Sequence, residues 1–119
     1  MEGLQGLAIY KDRTLKVVFL VHKRADMDAQ EFRRHWRETQ GSLGAKIPGT
    51  RKYVQNHTIT TPGGGAPPYD GFAEMWFDNK EAFEQAMATP EAQAAIADLP
   101  NFLDTERMQS FVVDEITIV

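Results

Sequence analysis

The stretch LKVVFLVH, from Leu15 to His22, carries apolar side chains at successive positions rather than at alternate ones. Its short length and its β-branched residues predict a β-strand. Neighbouring side chains of a strand point to opposite faces. Both parities here are apolar: Val17, Phe19 and Val21 on one, Val18 and Leu20 on the other. A strand that is apolar on both faces is covered on both faces, so the sheet that contains it needs two covering layers.

A helix is predicted to follow this strand. Asp28 can accept hydrogen bonds from the free backbone N–H groups of a first turn, and Glu31, three residues later, can complete a capping box. The helix should end near Leu43 or Gly44, where glycines and a proline act as stop signals.

A second helix is predicted to open with the same pattern, here Asp78 and Glu81. It should restart at Thr89-Pro90, since proline is favoured at a first helical position, and continue to about Asp98. Three further strands are predicted at residues 51–60, 69–77 and 109–119.

The predicted order is β-α-β-β-α-β, which is the ferredoxin-like α+β arrangement with a four-stranded antiparallel sheet. Residues 1–14 have no clear period and are expected to form a tail or an arm, with residues 15–119 as a single domain. Two helices can cover only one face of the sheet. Because three strands are apolar on both sides, we expect a homodimer that pairs through its sheet faces.

Composition excludes several classes of function. The chain has 119 residues, 42% of them hydrophobic and 25% charged, with a net charge of −4, so neither nucleic acid nor a membrane is an expected partner. It has no cysteine, which excludes thiol chemistry. The sequence gives no targeting signal, and a cytoplasmic location is the default expectation.

The first helix carries a histidine beside a tryptophan. At about 100° per residue, one stripe of this helix holds the packing residues Phe32, Trp36, Thr39 and Leu43. His35 and Gln40 then fall on opposite margins of that stripe, and we expect them not to act on the same atom. His35 can equally be a half-exposed boundary residue.

The predicted strands carry the other candidates for proton transfer, His57, Glu74 and His22. Histidine works in either direction near neutral pH, and a carboxylate in apolar surroundings becomes a plausible acid or base. Structural alternatives stand beside each: His57 as a satisfied structural histidine, Glu74 as a carboxylate paired with a lysine or arginine, and His22 as a residue emerging into water.

Metal and cofactor motifs are missing. The three histidines fall on three different elements without ligand spacing, so no metal site is predicted. Any chemistry is expected to run without a cofactor, and haem is the alternative if one is present.

Five blocks resemble the EthD family of the dimeric α+β barrel superfamily: KVVFLVHKR, FRRHWRETQGSL, IPGTRKYVQNH, YDGFAEMWFD and LPNFLDTERM. The resemblance implies ferredoxin-like protomers paired through their sheets, with a pocket between sheet and helices. Members and close relatives include cofactor-independent isomerases and cyclases as well as accessory proteins without settled activity. The family pattern often has a histidine four residues after the tryptophan of the first helix; here Gln40 follows Trp36, and glutamine does not exchange a proton near pH 7.

These observations predict a small acid–base enzyme, an isomerase, cyclase, dehydratase or lyase. Its substrate would be an apolar oxygenated molecule such as an aromatic, a polyketide or a lactone. His57 would be the general base or acid and Glu74 would orient it. The remaining roles are substrate hydrogen bonds from Tyr53 and Gln40, and apolar walls from Trp36, Phe72 and Trp76. The alternative is a non-catalytic protein that binds a small molecule.

Overall fold

The computed structural model describes residues 14–119. The tail predicted for residues 1–14 therefore lies, except for Thr14, outside the described residues. The strands are β1 (Leu15–Val21), β2 (Lys52–His57), β3 (Gly71–Phe77) and β4 (Gln109–Val113). The helices are α1 (Ala29–Arg34), a π-helix (His35–Gln40), α2 (Gly41–Ala45), α3 (Lys80–Met87) and α4 (Pro90–Asp98). Two 3-10 turns, Leu99–Asn101 and Thr105–Arg107, lead into β4.

The four strands form one antiparallel sheet in the order β2-β3-β1-β4. With helices between β1 and β2 and between β3 and β4, this is the ferredoxin-like arrangement, and the predicted α+β fold class is confirmed. The strands are shorter than predicted: β2 ends at His57, β3 begins at Gly71 and β4 ends at Val113.

The helices cover one face of the sheet, which we call the helix face. Val17 in β1 and Met75 and Phe77 in β3 point to it, and all three are buried. Two buried apolar clusters fill the space between this face and the helices, one around Phe77 and one around Trp36 and Phe102. The core therefore lies on a single side of the sheet.

The other face of the sheet, the open face, carries the opposite parity of the same strands. Its central positions are Val18, Leu20, Phe72, Glu74 and Trp76, which are only partly buried. Phe111 in the edge strand β4 is 49% exposed. Apolar side chains thus reach this face, as the two-parity pattern of the sequence predicts.

The helix starts are set by side-chain caps. Asp28 Oδ1 accepts from the Gln30 N–H at 2.8 Å, as the sequence predicts. The cap of α3 is Asn79, whose Oδ1 accepts from the Ala82 N–H at 2.8 Å, so the predicted cap at Asp78 is wrong. Asp78 instead forms a two-point ion pair with Arg51, at 2.7 and 2.8 Å. The prediction for α4 is confirmed, with Thr89 as its cap and Pro90 as its first residue.

The first helical region is not uniform. Its middle, His35–Gln40, is a π-helix, in which hydrogen bonds span five residues instead of four, and the Gly41 N–H bonds the Trp36 carbonyl. The same carbonyl also accepts a hydrogen bond from Gln55 Nε2 on β2 at 2.8 Å. π-helical turns are frequent at functional sites, and this one packs against the helix face with Trp36 in contact with Gln55 and His57 of β2.

No helix within residues 14–119 has the length and apolar character needed to cross a membrane.

Candidate functional site

A cavity of about 310 Å³ lies between the helix face of the sheet and the helices. Its walls are almost entirely apolar, and Gln40 and Tyr53 supply the amide and hydroxyl groups among them. The lining residues are Phe19, Val21, Trp36, Gln40, Gly44, Ile47, Tyr53, Ala73, Met75, Phe83, Met87, Ala92, Ala95, Ile96, Leu99, Phe102, Leu103 and Met108. A cavity with these walls suits an apolar ligand that carries few polar atoms.

Part of the cavity wall contributed by α4 is exposed to solvent. Ile96 lines it and is 46% exposed, whereas Ala92 and Ala95 on the same helix are buried. The side chains of Met87 and Met108 also contribute to the wall and are partly exposed. Methionine is flexible and polarisable, so this side of the cavity can adapt to the shape of a ligand.

Tyr53 lines the cavity and carries a hydroxyl group. Its oxygen accepts a hydrogen bond from Gln55 Nε2 at 2.7 Å, which leaves the hydroxyl proton free to be donated. Burial raises the pKa of Tyr53 above its ordinary value of 10.0. At neutral pH the group is therefore a hydrogen-bond donor and not a base.

His57 is linked to Tyr53 through one amide. The Trp36 carbonyl can only accept, so the nitrogen of Gln55 faces it and the Gln55 oxygen faces His57 Nε2 at 2.8 Å. That ring nitrogen must carry a proton, and Nδ1 is the basic nitrogen of the neutral ring. The imidazole stacks on Trp36, with ring centroids 4.1 Å apart.

The position and charge of His57 bear on its predicted role. Burial first, and then the positive charges of Arg33 and Arg37, lower the pKa of His57 below 6.5. The ring lies behind Trp36 and does not line the cavity. Its contact with the cavity is the hydrogen-bonded chain through Gln55 to Tyr53, and Gln55 is a residue that the sequence analysis missed. Its position on the parity of Tyr53 and His57 was the available signal.

His35 and Gln40 meet at one carboxylate, which corrects the expectation that they lie on opposite margins. His35 Nε2 lies 2.9 and 3.0 Å from the two oxygens of Asp98. The Gln40 amide faces only acceptors on its inner side, so its nitrogen donates to Asp98 Oδ2 at 2.9 Å and to the Ala95 carbonyl at 3.1 Å. In an α-helix residues five apart differ by about 140°, but the wider turn of a π-helix brings them closer to one face.

Asp98 is the centre of this cluster and was also missed by the sequence analysis. Its side chain is 8% exposed, and Asn101 Nδ2 adds a third donor at 3.0 Å. As the last residue of α4 it lies at the negative end of the helix dipole, where a carboxylate is unfavourable without partners. That position is a signal in the sequence that Asp98 needs partners, but it does not identify them.

The open face of the sheet, away from the cavity, carries three of the predicted site residues: Glu74, Phe72 and Trp76. Glu74 pairs with Lys16 Nζ at 2.7 Å and accepts from Asn56 Nδ2 at 2.8 Å. The hydrogen bond from Lys16 lowers the pKa of Glu74. The prediction that Glu74 orients His57 is therefore wrong within the protomer. Successive residues of a strand point to opposite faces of the sheet, and Glu74 points to the face away from the helices. The predicted cavity walls at Phe72 and Trp76 are wrong for the same reason.

His22 follows β1 and is 8% exposed. Its ring packs against Tyr69 with centroids 5.4 Å apart, and it does not line the cavity. The structure thus joins Tyr53, Gln40 and Trp36 at the cavity, holds His57 and His35 one contact away, and separates His22 from them. Among residues 14–119, no group of three or more histidine and acidic side chains could hold a metal ion.

Comparison with known proteins supports one family. The EthD domain model matches residues 24–106, and no curated protein matches the sequence. An EthD family protein of Bacillus halodurans is 27% identical, with a TM-score of 0.76 over 87% of this chain and 99% of that chain.

More distant structures share the fold. A dimeric ferredoxin-like protein of unknown function from Thermobifida fusca is 15% identical, with a TM-score of 0.69 over 87% of this chain and 92% of that one. The hydroxynitrile lyase of Passiflora edulis is 10% identical, with a TM-score of 0.67 over 90% of this chain and 99% of that one. The match to the domain model covers most of the chain, and the protein therefore belongs to the EthD domain family.

Proposed function

We propose that the protein binds an apolar small molecule bearing a carbonyl or ether oxygen in the cavity between its sheet and helices. The observation that carries this proposal is the cavity itself, about 310 Å³ with apolar walls and one free hydroxyl donor at Tyr53. Both N–H groups of Gln40 are used by Asp98 and Ala95, so its amide offers a ligand only an acceptor. The ligand would be oriented by donation from Tyr53 to its oxygen.

A second candidate function is acid–base catalysis on the same ligand. It is favoured by the hydrogen-bonded chain from Tyr53 through Gln55 to His57, which connects the cavity to a titratable ring. Within residues 14–119 no carboxylate or imidazole lines the cavity itself. Tyr53 would therefore act first, as a donor that polarises a carbonyl oxygen and stabilises negative charge developing on it. An isomerisation, cyclisation or elimination that passes through an enolate would suit such a group.

The binding proposal is tested by extracting ligand from freshly purified protein and identifying it by mass spectrometry. We expect an apolar, oxygen-bearing compound at a stoichiometry near one per chain. Tyr53→Phe should weaken binding of that compound by about five- to tenfold, the loss of one hydrogen bond in a buried site. Tyr69→Phe is the matched control, because Tyr69 packs on His22 outside the cavity. Equal binding in both variants would remove Tyr53 from the site.

Binding and catalysis are separated by the fate of the compound. If it is unchanged after prolonged incubation, the protein is a carrier. Turnover that falls about a hundredfold or more in Tyr53→Phe but little in Tyr69→Phe supports catalysis.

We also propose that two copies pair through their open faces. Support comes from the apolar side chains on this face, such as Leu20 and Phe111, and from fold relatives described as dimeric. The cavity lies on the helix side of the sheet, so pairing through the open faces would not cover it.

A further inference from the structure

A second concave surface lies on the outer side of the first helical region. We call it the arginine groove, and it has a volume of about 450 Å³. It is lined by Gln30, Arg33, Arg34, Arg37, Glu38 and His57. The groove is separate from the apolar cavity, because no residue lines both.

The positive charges of the groove are poorly compensated. Within the described part of the chain, Arg33 makes one side-chain hydrogen bond, to the neutral Thr58 carbonyl at 3.2 Å. Arg37 lies 3.8 Å from Glu38, and both side chains are mostly exposed, at 75% and 61%. An exposed pair of that length contributes little. Arg34 has no side-chain hydrogen bond or ion pair with any other residue between 14 and 119.

The three arginines also repel one another. Arg33 and Arg37 are four residues apart on one helical region, and Arg34 and Arg37 are three apart, spacings at which like charges destabilise a helix. This concentration of positive charge occurs in a chain whose net charge is −4. An anion in the groove would offset the repulsion and give Arg34 a charged partner beside Arg33 and Arg37.

His57 lines the groove, and the pKa of its ring responds to the charge of the groove. The charged groups that act on the ring are Arg33 and Arg37, and the neighbouring positions on the sheet, Gln55 and Gly71, are neutral. Its Nε2–H is held by Gln55, so the nitrogen that gains a proton is Nδ1. An anion bound between the arginines would favour that protonation, because it offsets the positive field.

From this geometry we propose that the arginine groove binds an oxyanion, a carboxylate or a phosphate group of a small molecule. Guanidinium groups match the geometry of both, since each can bind two oxygens with parallel N–H groups. The proposal does not depend on what occupies the apolar cavity, because the two spaces share no lining residue.

The test is a titration of the intact protein with inorganic phosphate and, separately, with benzoate, while sodium chloride holds the ionic strength constant. The readout is the NMR pKa of His57 and the chemical shifts of the groove arginines. We expect saturable shifts and a rise in the pKa of His57 with at least one probe. Tighter binding of benzoate would assign a carboxylate ligand, and tighter binding of phosphate a phosphate ester.

The variants Arg34→Gln and Arg37→Gln should each weaken binding about two- to fivefold, as expected for an exposed charge pair. Arg107→Gln removes the same charge from an exposed turn outside the groove and should leave the affinity unchanged. The proposal is overturned if the shifts do not saturate, if chloride alone produces them, or if Arg34→Gln and Arg107→Gln respond alike.

Discussion

The imidazole of His35 lies against both carboxylate oxygens of Asp98, with Nε2 at 2.9 and 3.0 Å. This contact joins the π-helix to the end of α4, and both elements contribute residues to the wall of the apolar cavity. Gln40 bonds the same carboxylate from within the cavity wall. The relative position of the two elements is therefore fixed by one buried acidic residue.

Replacing Asp98 by asparagine should destabilise the fold by about 2 kcal/mol, because His35, Gln40 and Asn101 would lose a charged acceptor and face an amide that must also donate. Urea unfolding measures the change. Asp104→Asn is the control, since its side chain makes no hydrogen bond or ion pair with any residue between 14 and 119. Equal stability of the two variants would show that the cluster around Asp98 contributes nothing.

Gly71→Ala should cost about 1–3 kcal/mol through overpacking. A Cβ at this position would lie 2.5 Å from two ring carbons of Trp36 and would also clash with the Asn56 carbonyl. The displaced indole would disturb its stack with His57, which a change in the His57 NMR signals would show. Gly63→Ala, with nothing within 4 Å of the added carbon, should change stability by less than about 0.5 kcal/mol. A Gly71→Ala protein as stable as Gly63→Ala would contradict the close packing of Trp36.

His57 should make stability depend on pH in one direction. Its pKa in the folded protein lies below the ordinary value of 6.5, so between these two values the unfolded chain binds more protons. Its contribution is present above about pH 6.5 and is lost as the pH falls through the folded pKa. We expect wild type to lose more stability than His57→Gln between about pH 7.5 and about pH 5, as measured by urea unfolding. Parallel losses in the two proteins would exclude this effect.

Leu20→Lys should convert a dimer into a folded monomer, because it places a charge at the centre of the open face. Sedimentation velocity gives the mass and circular dichroism confirms the fold. Ile59→Lys is the matched control, at a position 86% exposed and outside the strands. A wild-type protein that is monomeric at micromolar concentration would contradict pairing through this face. A Leu20→Lys protein that stays dimeric would place the interface elsewhere.

The sequence patterns that could be interpreted correctly were those set by local rules. Strand parity predicted which side chains of β1 and β3 reach each face, because alternation is a property of every strand. By the same rule, the side chains of Glu74 and Ala73 point to opposite faces of the sheet. The rule does not predict which of the two faces holds the cavity. The cap of α3 was assigned one residue early, since Asp78 and Asn79 are both good caps and the ion pair with Arg51 decides between them.

The site itself was only partly predictable. Tyr53, Gln40 and Trp36 line the apolar cavity, and the binding roles assigned to them stay predictions. The contacts of His35 and Gln40 with Asp98 could not be predicted, because they depend on a π-helix. The predicted stripe of the first helix rests on 100° per residue, which is the rotation of an α-helix. The arginine groove was not predicted, because its concave shape depends on how the first helical region packs beside His57 of β2.

The π-helix has a consequence for how this chain is aligned with its relatives. A π-turn amounts to one residue inserted into an α-helix, and the helix beyond it is rotated accordingly. In a relative without the insertion, a different side chain would face Asp98, even where the neighbouring residues are identical. If the alignment gap between His35 and Gln40 is placed one position away from the inserted residue, the alignment pairs residues whose side chains point in different directions. Equivalence in this block is better decided by contact with Asp98 than by counting from Trp36.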